Sequence, residues 1–218
     1  LLFTPTERAS ILAAVNFRDL AGSSTFFRAN VLSRGSNKLN ANYDRNTVFY
    51  DAGGGNQADY NQFGATLTAS YEFDGATLTS ITSHWTSEGS SRGDIDGGFG
   101  AVFLPESGPG LIPFQAQSQD NVPSLDQFTQ EIRIASNNST GLGYQFGVFY
   151  FDEGLDITSF EFGGPTDAMP SAIAVQRQDS EAYGIFGSVN YAMRPDFTVR
   201  AGLRYTRDRK ALSTTGKV

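Results

Sequence analysis

The feature that most constrains this chain is a strict alternation of apolar and polar side chains in seven separate segments. In the clearest one, residues 63–73, every odd position is apolar or aromatic, and every even position is glycine, a hydroxyl residue or Glu72. This period of two is typical of a β-strand whose two faces meet different surroundings. Short turns and long polar loops join the segments in turn, so the sequence predicts an all-β antiparallel sheet.

The same pattern recurs on both sides of this segment. The other apolar faces are read as Ala9, Ile11, Ala13, Val15 and Phe17; Phe128, Ile132 and Ile134, with Gln130 as a polar exception; Tyr144, Phe146, Val148 and Tyr150; Tyr183, Ile185, Val189 and Tyr191; and Phe197, Val199, Ala201, Leu203 and Tyr205. Connections are predicted at Thr4–Glu7, at 137–141 and at 194–196, because these stretches are rich in turn-forming residues.

The hairpin after residue 73 raises a question of register. Asp74-Gly75 has the residue types of a type I′ turn, which requires positive φ at both positions. A plain two-residue register then places Ile81 and Trp85 on the polar side. We therefore predict a β-bulge near residues 79–80 that returns both side chains to the apolar side.

The aromatic residues favour a membrane-spanning sheet over a soluble one. One set lies beside the short turns (Tyr71, Phe73, Tyr144, Tyr191 and Phe197) and another near the long loops (Phe17, Phe63, Trp85, Tyr150, Tyr183 and Tyr205). Amphipathic rings settle at the two membrane interfaces, so these sets predict two aromatic girdles. A soluble sandwich would also alternate, and the girdles together with the loop rhythm favour a transmembrane β-barrel.

Composition agrees with this reading. The mean hydropathy of −0.29 and the lack of a run of about 18 apolar residues exclude transmembrane helices. The net charge of −7 argues against a nucleic-acid partner, which would require clustered Lys and Arg. The absence of Cys fits a protein that crosses an oxidising periplasm.

An odd number of strands predicts an incomplete barrel. Seven antiparallel strands leave the first and last running in the same direction, whereas bacterial single-chain barrels close with even numbers from eight upward. Open strand edges in lipid would leave backbone groups unpaired. We therefore expect residues 1–218 to be an internal part of a larger barrel.

Five motifs resemble those of TonB-dependent outer-membrane receptors. They are residues 75–82, 126–136, 147–153, 180–187 and 201–208. The resemblance implies a 22-stranded barrel with an N-terminal plug domain. We expect residues 1–218 to include neither the plug domain nor the C-terminal strands of that barrel. It also implies import of a scarce nutrient with energy relayed by TonB, so the partners would be outer-membrane lipid, a small-molecule nutrient and the TonB complex through the plug. A ferric siderophore, a cobalamin, an oligosaccharide or a similar molecule remains open as the nutrient.

The long loops are the predicted place of ligand selection. Residues 18–60, 87–125 and 152–180 exceed ordinary connectors, and loops of this length are usually functional or disordered. The predicted ligand-binding aromatics are Phe99, Phe103, Phe114, Phe160 and Phe162. The alternative is that they pack the loops onto one another.

Charged residues are predicted on the lumenal side of the barrel. These are Glu131, Arg133, Arg200 and Arg204. They would guide the substrate, dock the plug, or form ion pairs along the wall.

No catalytic residues, cofactor or metal are predicted, so the chain is not expected to be an enzyme. His84 is the only histidine, which excludes a His-based triad or a multi-His metal site built within the chain. Residues 94–97 resemble the start of a calcium loop without its bidentate Glu, and a calcium site made of loop carboxylates stays open. The alternative functions are a surface or soluble β-protein that binds glycans or host surfaces, or a passive porin.

Overall fold

The computed structural model describes residues 1–24, 26–51, 55–98, 114–137, 141–164, 167–194 and 196–217. Within them lies one antiparallel sheet whose strands follow chain order. Its strands are β1 Leu2–Thr6, β2 Ala9–Ser23, β3 Gln57–Glu72, β4 Ala76–Asp94, β5 Gln117–Ser136, β6 Leu142–Phe162, β7 Ala172–Arg194 and β8 Phe197–Lys217. The predicted all-β antiparallel fold is confirmed. No helix among the described residues is long and apolar enough to cross a lipid bilayer.

The described sheet has eight strands, one more than the seven predicted. The additional strand is β1, and the turn predicted at Thr4–Glu7 is wrong because β1 continues to Thr6 and the chain turns at Glu7 and Arg8. Pro5 lies within β1, which is at the edge of the described sheet, where a missing backbone donor is tolerated.

The bulge predicted near residues 79–80 is also wrong. Strands β3 and β4 pair without interruption from Gln57 with Arg92 to Glu72 with Thr77, so Ile81 and Trp85 stay on the side opposite Leu67. The space for the indole comes from Gly64, the residue paired with Trp85. A Cβ at Gly64 would lie 2.4 Å from Cε3 of Trp85.

On the side of the sheet that carries Leu67, β4 therefore has polar residues where apolar ones were predicted. They bond to one another across the strands: Gln130 Nε2 donates to Ser80 Oγ at 3.0 Å, and Thr82 Oγ1 donates to Gln130 Oε1 at 2.6 Å. Polar groups that satisfy each other are tolerated in an apolar environment, where unpaired ones cost several kcal/mol each.

The hairpin at Asp74-Gly75 is not a type I′ turn, because neither residue has a positive φ. The Phe73 N–H donates to the Ala76 carbonyl at 2.7 Å. Asn137, from the next short connection, supports the turn: its Nδ2 donates to the Phe73 carbonyl at 3.0 Å, and its Oδ1 accepts from Thr77 at 2.6 Å. Contacts from the neighbouring turn stabilise this hairpin in place of the positive φ angles.

A bulge does occur, in β5. The pairing of β5 shifts by one residue between Asn121 and Ser124 against β6, and at the matching level against β4. Because one residue is added, the side chains of β5 exchange faces beyond this point. Gln117 is thereby aligned with Asp94 on one side and Phe162 on the other.

The strands are much longer than a membrane requires. Strands β3 to β8 contain 16 to 23 residues, whereas about 9 to 11 residues suffice for a tilted strand to cross a bilayer. The long loops are correspondingly shorter than predicted, at residues 24–56, 95–116 and 163–171. About half of each of strands β4 to β8 therefore extends past the apolar region on the side of these loops.

Candidate functional site

One side of the sheet, here called the apolar face, exposes large hydrophobic side chains. Across the strands, Val15 aligns with Ala65, and Val148 with Ile185, so the face is continuous. Leu203 is 82% exposed and Ile185 64% exposed. A single-layered sheet with such a face requires apolar surroundings, since exposed apolar patches of this extent are rare on soluble monomers.

Aromatic pairs lie at both ends of the apolar face. At the short-turn end the ring centroids of Tyr71 and Phe73 are 4.8 Å apart, and at the long-loop end those of Tyr150 and Tyr183 are 5.2 Å apart. The two-girdle prediction fits these positions except for Trp85, which lies on the other side of the sheet and donates from Nε1 to Ser83 Oγ at 2.8 Å.

The side of the sheet opposite the apolar face, here called the polar face, carries all four charged residues predicted for the lumen. Arg133 Nη1 donates to Glu131 Oε1 at 3.1 Å, so one predicted ion pair is present. Arg200 and Arg204 form no salt bridge with any described residue. Arg204 donates from Nε to Thr206 Oγ1 at 2.9 Å.

Arg204 also belongs to an aromatic strip formed by Phe149 and Phe186. Its guanidinium carbon lies 5.7 Å from the ring centroid of Phe149 and 5.9 Å from that of Phe186, within cation–π range. Gly147 makes room for the strip, since a Cβ there would lie 2.3 Å from Cζ of Phe186. This strip was not predicted from the sequence, although the alternation of Phe149 with Val148 indicates that Phe149 lies on the polar face.

A second cluster, here called the loop junction, joins the long loops through Asp94, which is 1% exposed. Its Oδ1 accepts from the backbone N–H groups of Asp96 at 2.8 Å and Gly97 at 2.9 Å. Its Oδ2 accepts from those of Asp51 at 2.9 Å and Gly98 at 2.7 Å. Both glycines have a φ of +73°, a conformation that other residues rarely adopt.

The junction joins two of the long loops, 95–116 and 24–56. Asp96 Oδ2 accepts from the Ala116 N–H at 2.6 Å, which ties the start of the 95–116 loop to its end. The Asp51 N–H comes from the 24–56 loop. In the structure the carboxylates of Asp94 and Asp96 serve as acceptors for backbone N–H groups, and the calcium site made of loop carboxylates stays a prediction.

Three carboxylates meet in this junction. Oxygen atoms of Asp51, Asp94 and Asp96 lie within 4.8 Å of one another. Burial raises the pKa of Asp51 above its ordinary value of 3.8, and the charge of Asp94 raises it further. Asp51 therefore ionises at a higher pH in the folded loop than in an unfolded chain.

Residues 6–217 match the family model described as TonB dependent receptor-like, beta-barrel. The chain belongs to this family. It also resembles the crystal structure of the ferric yersiniabactin uptake receptor FyuA from Yersinia pestis, with a TM-score of 0.65 and 14% identity, covering 96% of this chain and 28% of that one. At this identity the likeness shows the fold alone. No curated protein matches the sequence.

The TonB-dependent receptor family confirms the predicted resemblance and places the chain in the Gram-negative outer membrane. Members of the family are transport receptors rather than enzymes. In transmembrane β-barrels the apolar side of the sheet faces lipid and the polar side lines the lumen, and this is the arrangement that we expect for the apolar face and the polar face. The chain spans about 28% of the length of the FyuA chain.

The predicted ligand-binding aromatics do not form one cluster among the described residues. Phe99 and Phe103 lie outside those residues, and Phe114 is 61% exposed at the end of its loop. Placing Phe160 and Phe162 in a loop is wrong, because both lie in β6.

Strand β6 alternates without a bulge against β7, so Phe160 and Phe162 share the side of Val148, away from the lumen. Phe162 is buried beneath Arg92, whose guanidinium carbon lies 3.9 Å from the ring centroid. Arg92 also donates from Nε to Gln117 Oε1 at 3.0 Å. Sequence reasoning missed Arg92 because this contact depends on the β5 bulge.

The raised pKa of Asp51 predicts that acid stabilises the loop junction of the receptor. The contribution is fully present below pH 3.8, and it is lost as the pH rises through the raised pKa of the folded state, because ionised Asp51 is then partly desolvated beside the charge of Asp94. Hydrogen-exchange protection of the Gly98 amide should therefore be greater just above pH 3.8 than at neutral pH. In Asp51→Asn this pH dependence should disappear, and its persistence would assign the effect to another group.

Proposed function

We propose that this chain is part of the wall of an outer-membrane receptor that binds a scarce small-molecule nutrient at its long-loop rim and imports it. The single observation that carries the proposal is the length of the strands. Strands β4 to β8 contain about twice the residues that a membrane crossing needs, so they raise the rim well above the bilayer. A binding rim is then held on rigid elements rather than on loops alone.

The loop junction supports this proposal. Buried carboxylates that satisfy several backbone N–H groups give loops a fixed shape, and a preorganised loop loses less conformational entropy when a ligand binds. Phe114, exposed beyond the junction, is available for contact with a ligand. Phe99, Phe103 and Phe160 stay proposed contacts, whereas buried Phe162 would act by supporting Arg92.

The lumenal wall supplies the proposed chemical preference. Arg200 and Arg204 carry positive charge without an acidic partner among the described residues, and Arg204 lies beside the rings of Phe149 and Phe186. Such a strip suits an anionic nutrient with flat groups, because guanidinium groups pair with carboxylates and stack on π systems. Ferric siderophores of this chemistry are the first candidates, ahead of cobalamin and saccharides.

The proposed partners are those of a receptor of this family. Outer-membrane lipid contacts the apolar face, and the TonB complex supplies energy through a plug domain. The net charge of −7 argues against nucleic acid. A passive porin is the alternative, and energy dependence distinguishes the two.

The proposal is tested with the full receptor in cells that lack other ferric-siderophore receptors. Accumulation of radioactive iron is measured with catecholate, hydroxamate and phenolate siderophores. Accumulation of labelled cobalamin and of labelled maltodextrin is measured in parallel. We expect saturable uptake of an anionic siderophore that stops in cells lacking TonB. Uptake of every solute at similar rates without TonB would indicate a passive porin and would contradict the proposal.

A loop variant locates the binding site. Residues 99–113 are replaced by a short Gly-Ser linker, which keeps Asp94, Asp96 and Gln117. We expect ligand affinity to fall at least about tenfold, by about 1.4 kcal/mol, while heat-modifiable gel mobility stays that of a folded barrel. Asp74→Ala, at the short-turn rim, is the control and should leave affinity unchanged. Unchanged affinity in the loop variant would remove this loop from the site.

A further inference from the structure

The apolar face contains a groove between β7 and β8. It has a volume of about 670 Å³, and its outward-facing lining residues are Phe146, Ile185, Val189, Ala201, Leu203 and Tyr205. Gly187 aligns with Phe146 on one side and Leu203 on the other, and the absence of a side chain at Gly187 lets the Phe146 ring lie over it as one wall of the groove. A Cβ at Gly187 would lie 2.6 Å from Cδ1 of Phe146.

Two arginines continue the same side of β8 beyond the groove. Arg207 aligns with Tyr183, and Arg209 aligns with Glu181. They lie two and four residues past Tyr205, which is about 7 and 13 Å along the strand. Neither forms a salt bridge with any described residue.

The acidic residues near this groove already have partners. Tyr183 donates its hydroxyl to Glu181, and Tyr150 donates to Asp152 at 3.4 Å. Asp179 accepts from Arg177 at 3.2 Å. The face thus changes from acidic over β6 and β7 to basic over β8, which favours an anionic group on the β8 side.

The position of Arg207 and Arg209 indicates the outer leaflet of the membrane as their surroundings. They lie on the long-loop side of Tyr205, beyond the aromatic girdle, where lipid headgroups of the outer leaflet are found. In the outer membrane that leaflet consists mainly of phosphorylated glycolipid. Arginine binds phosphate through paired N–H donors, and an acyl chain fits an apolar groove.

We propose that the groove and Arg207 with Arg209 bind one phosphorylated glycolipid of the outer leaflet, with an acyl chain along Val189, Ala201 and Leu203 and a phosphate at the guanidinium groups. This site is separate from the nutrient site of the proposed function, since it lies on the opposite face of the same strands. It gives the receptor a fixed lipid neighbour at the β7–β8 position.

The test uses the full receptor purified in detergent and native mass spectrometry. The probes are lipid A with two phosphates, the same lipid without phosphates, and phosphatidylethanolamine. We expect lipid A to bind more tightly than either of the others. The double variant Arg207→Gln, Arg209→Gln should weaken lipid A about 30-fold, since each cation near a charged lipid surface contributes on the order of 1 kcal/mol.

A matched pair of single variants assigns the effect to one face. Arg209→Gln should weaken lipid A about fivefold, whereas Lys210→Gln, which removes the same charge one residue away on the lumenal side, should change it little. Ala201→Phe fills the groove and should also weaken binding, with heat-modifiable mobility confirming a folded barrel. Equal effects of Arg209→Gln and Lys210→Gln, or equal retention of phosphatidylethanolamine, would overturn the proposal.

Discussion

Replacing Leu67 by Arg is expected to destabilise the barrel by about 2 to 4 kcal/mol, the cost of a basic residue facing lipid near the bilayer midplane. Leu67 lies on the apolar face between Ala13 and Thr82, and it is 47% exposed in the sheet. It lies six positions from Phe73 at the short-turn girdle and four positions from Phe63 at the other. The arginine therefore cannot reach either interface without moving the strand.

The matched control for Leu67 is its neighbour Thr68. Thr68 aligns with Leu12 and Ile81 on the polar face, so Thr68→Arg places the same side chain toward the lumen. The free energy of unfolding of both variants of the full receptor is measured by denaturant titration in lipid vesicles. We expect a small effect for Thr68→Arg, and equal losses at the two positions would mean that the faces are not lipid and lumen.

Replacing Asp94 by Ala is the other change with a large expected effect, and it acts on the loops alone. Four backbone N–H groups lose a carboxylate acceptor in a buried site, and hydrogen bonds to charged groups contribute about 1.5 to 3 kcal/mol each. We expect local stability to fall by on the order of 3 kcal/mol or more. The strands should remain, because their ladder bonds do not involve this carboxylate.

Asp94→Asn provides a graded comparison for this prediction. Its single carbonyl oxygen can satisfy one pair of N–H groups, so it should lose about half of the effect of Asp94→Ala. Hydrogen exchange of the Asp51, Gly97 and Gly98 amides reports the junction, and heat-modifiable gel mobility reports the barrel. Slow exchange of these amides in Asp94→Ala would show that other acceptors hold the loops.

The sequence predicted the membrane-spanning part of the fold well, because lipid and water impose a period of two there. The apolar faces of β2, β3 and β5 to β8 were predicted at the right positions. Strand β1 was missed because five residues with Pro5 carry too little pattern. In β4 the apolar Trp85 suggested a bulge, whereas Gly64 gives the indole space on the polar face instead.

The outer halves of the strands were read as loops for a physical reason. Beyond the girdle both faces of the sheet meet water, so the alternation that marks a strand is lost. Phe160 and Phe162 in β6 were assigned to a loop on this ground. Strand pairing, which the sequence pattern does not encode locally, extends the sheet through this region.

The candidate site was harder to predict than the wall. Asp94 and Asp96 drew attention through their spacing, but the third carboxylate, Asp51, lies in another loop 43 residues away. Gln117 shares the face of Arg92 and Phe162 only because of the β5 bulge. Long-range contacts of this kind follow from register, which a single sequence determines only where one face is apolar.

The central claim is that alternate residues of this sheet face lipid and lumen, and introduced cysteines test it most directly. The chain contains no cysteine, so each new thiol is the only one within it. Val189 and Ser188 are neighbours on opposite faces of β7, aligned with Ala201 and Gly202. Each is replaced by Cys and labelled with a fluorophore, and the full receptor is placed in vesicles with brominated lipids. We predict strong quenching at residue 189 and little at residue 188, and equal or reversed quenching would contradict the account.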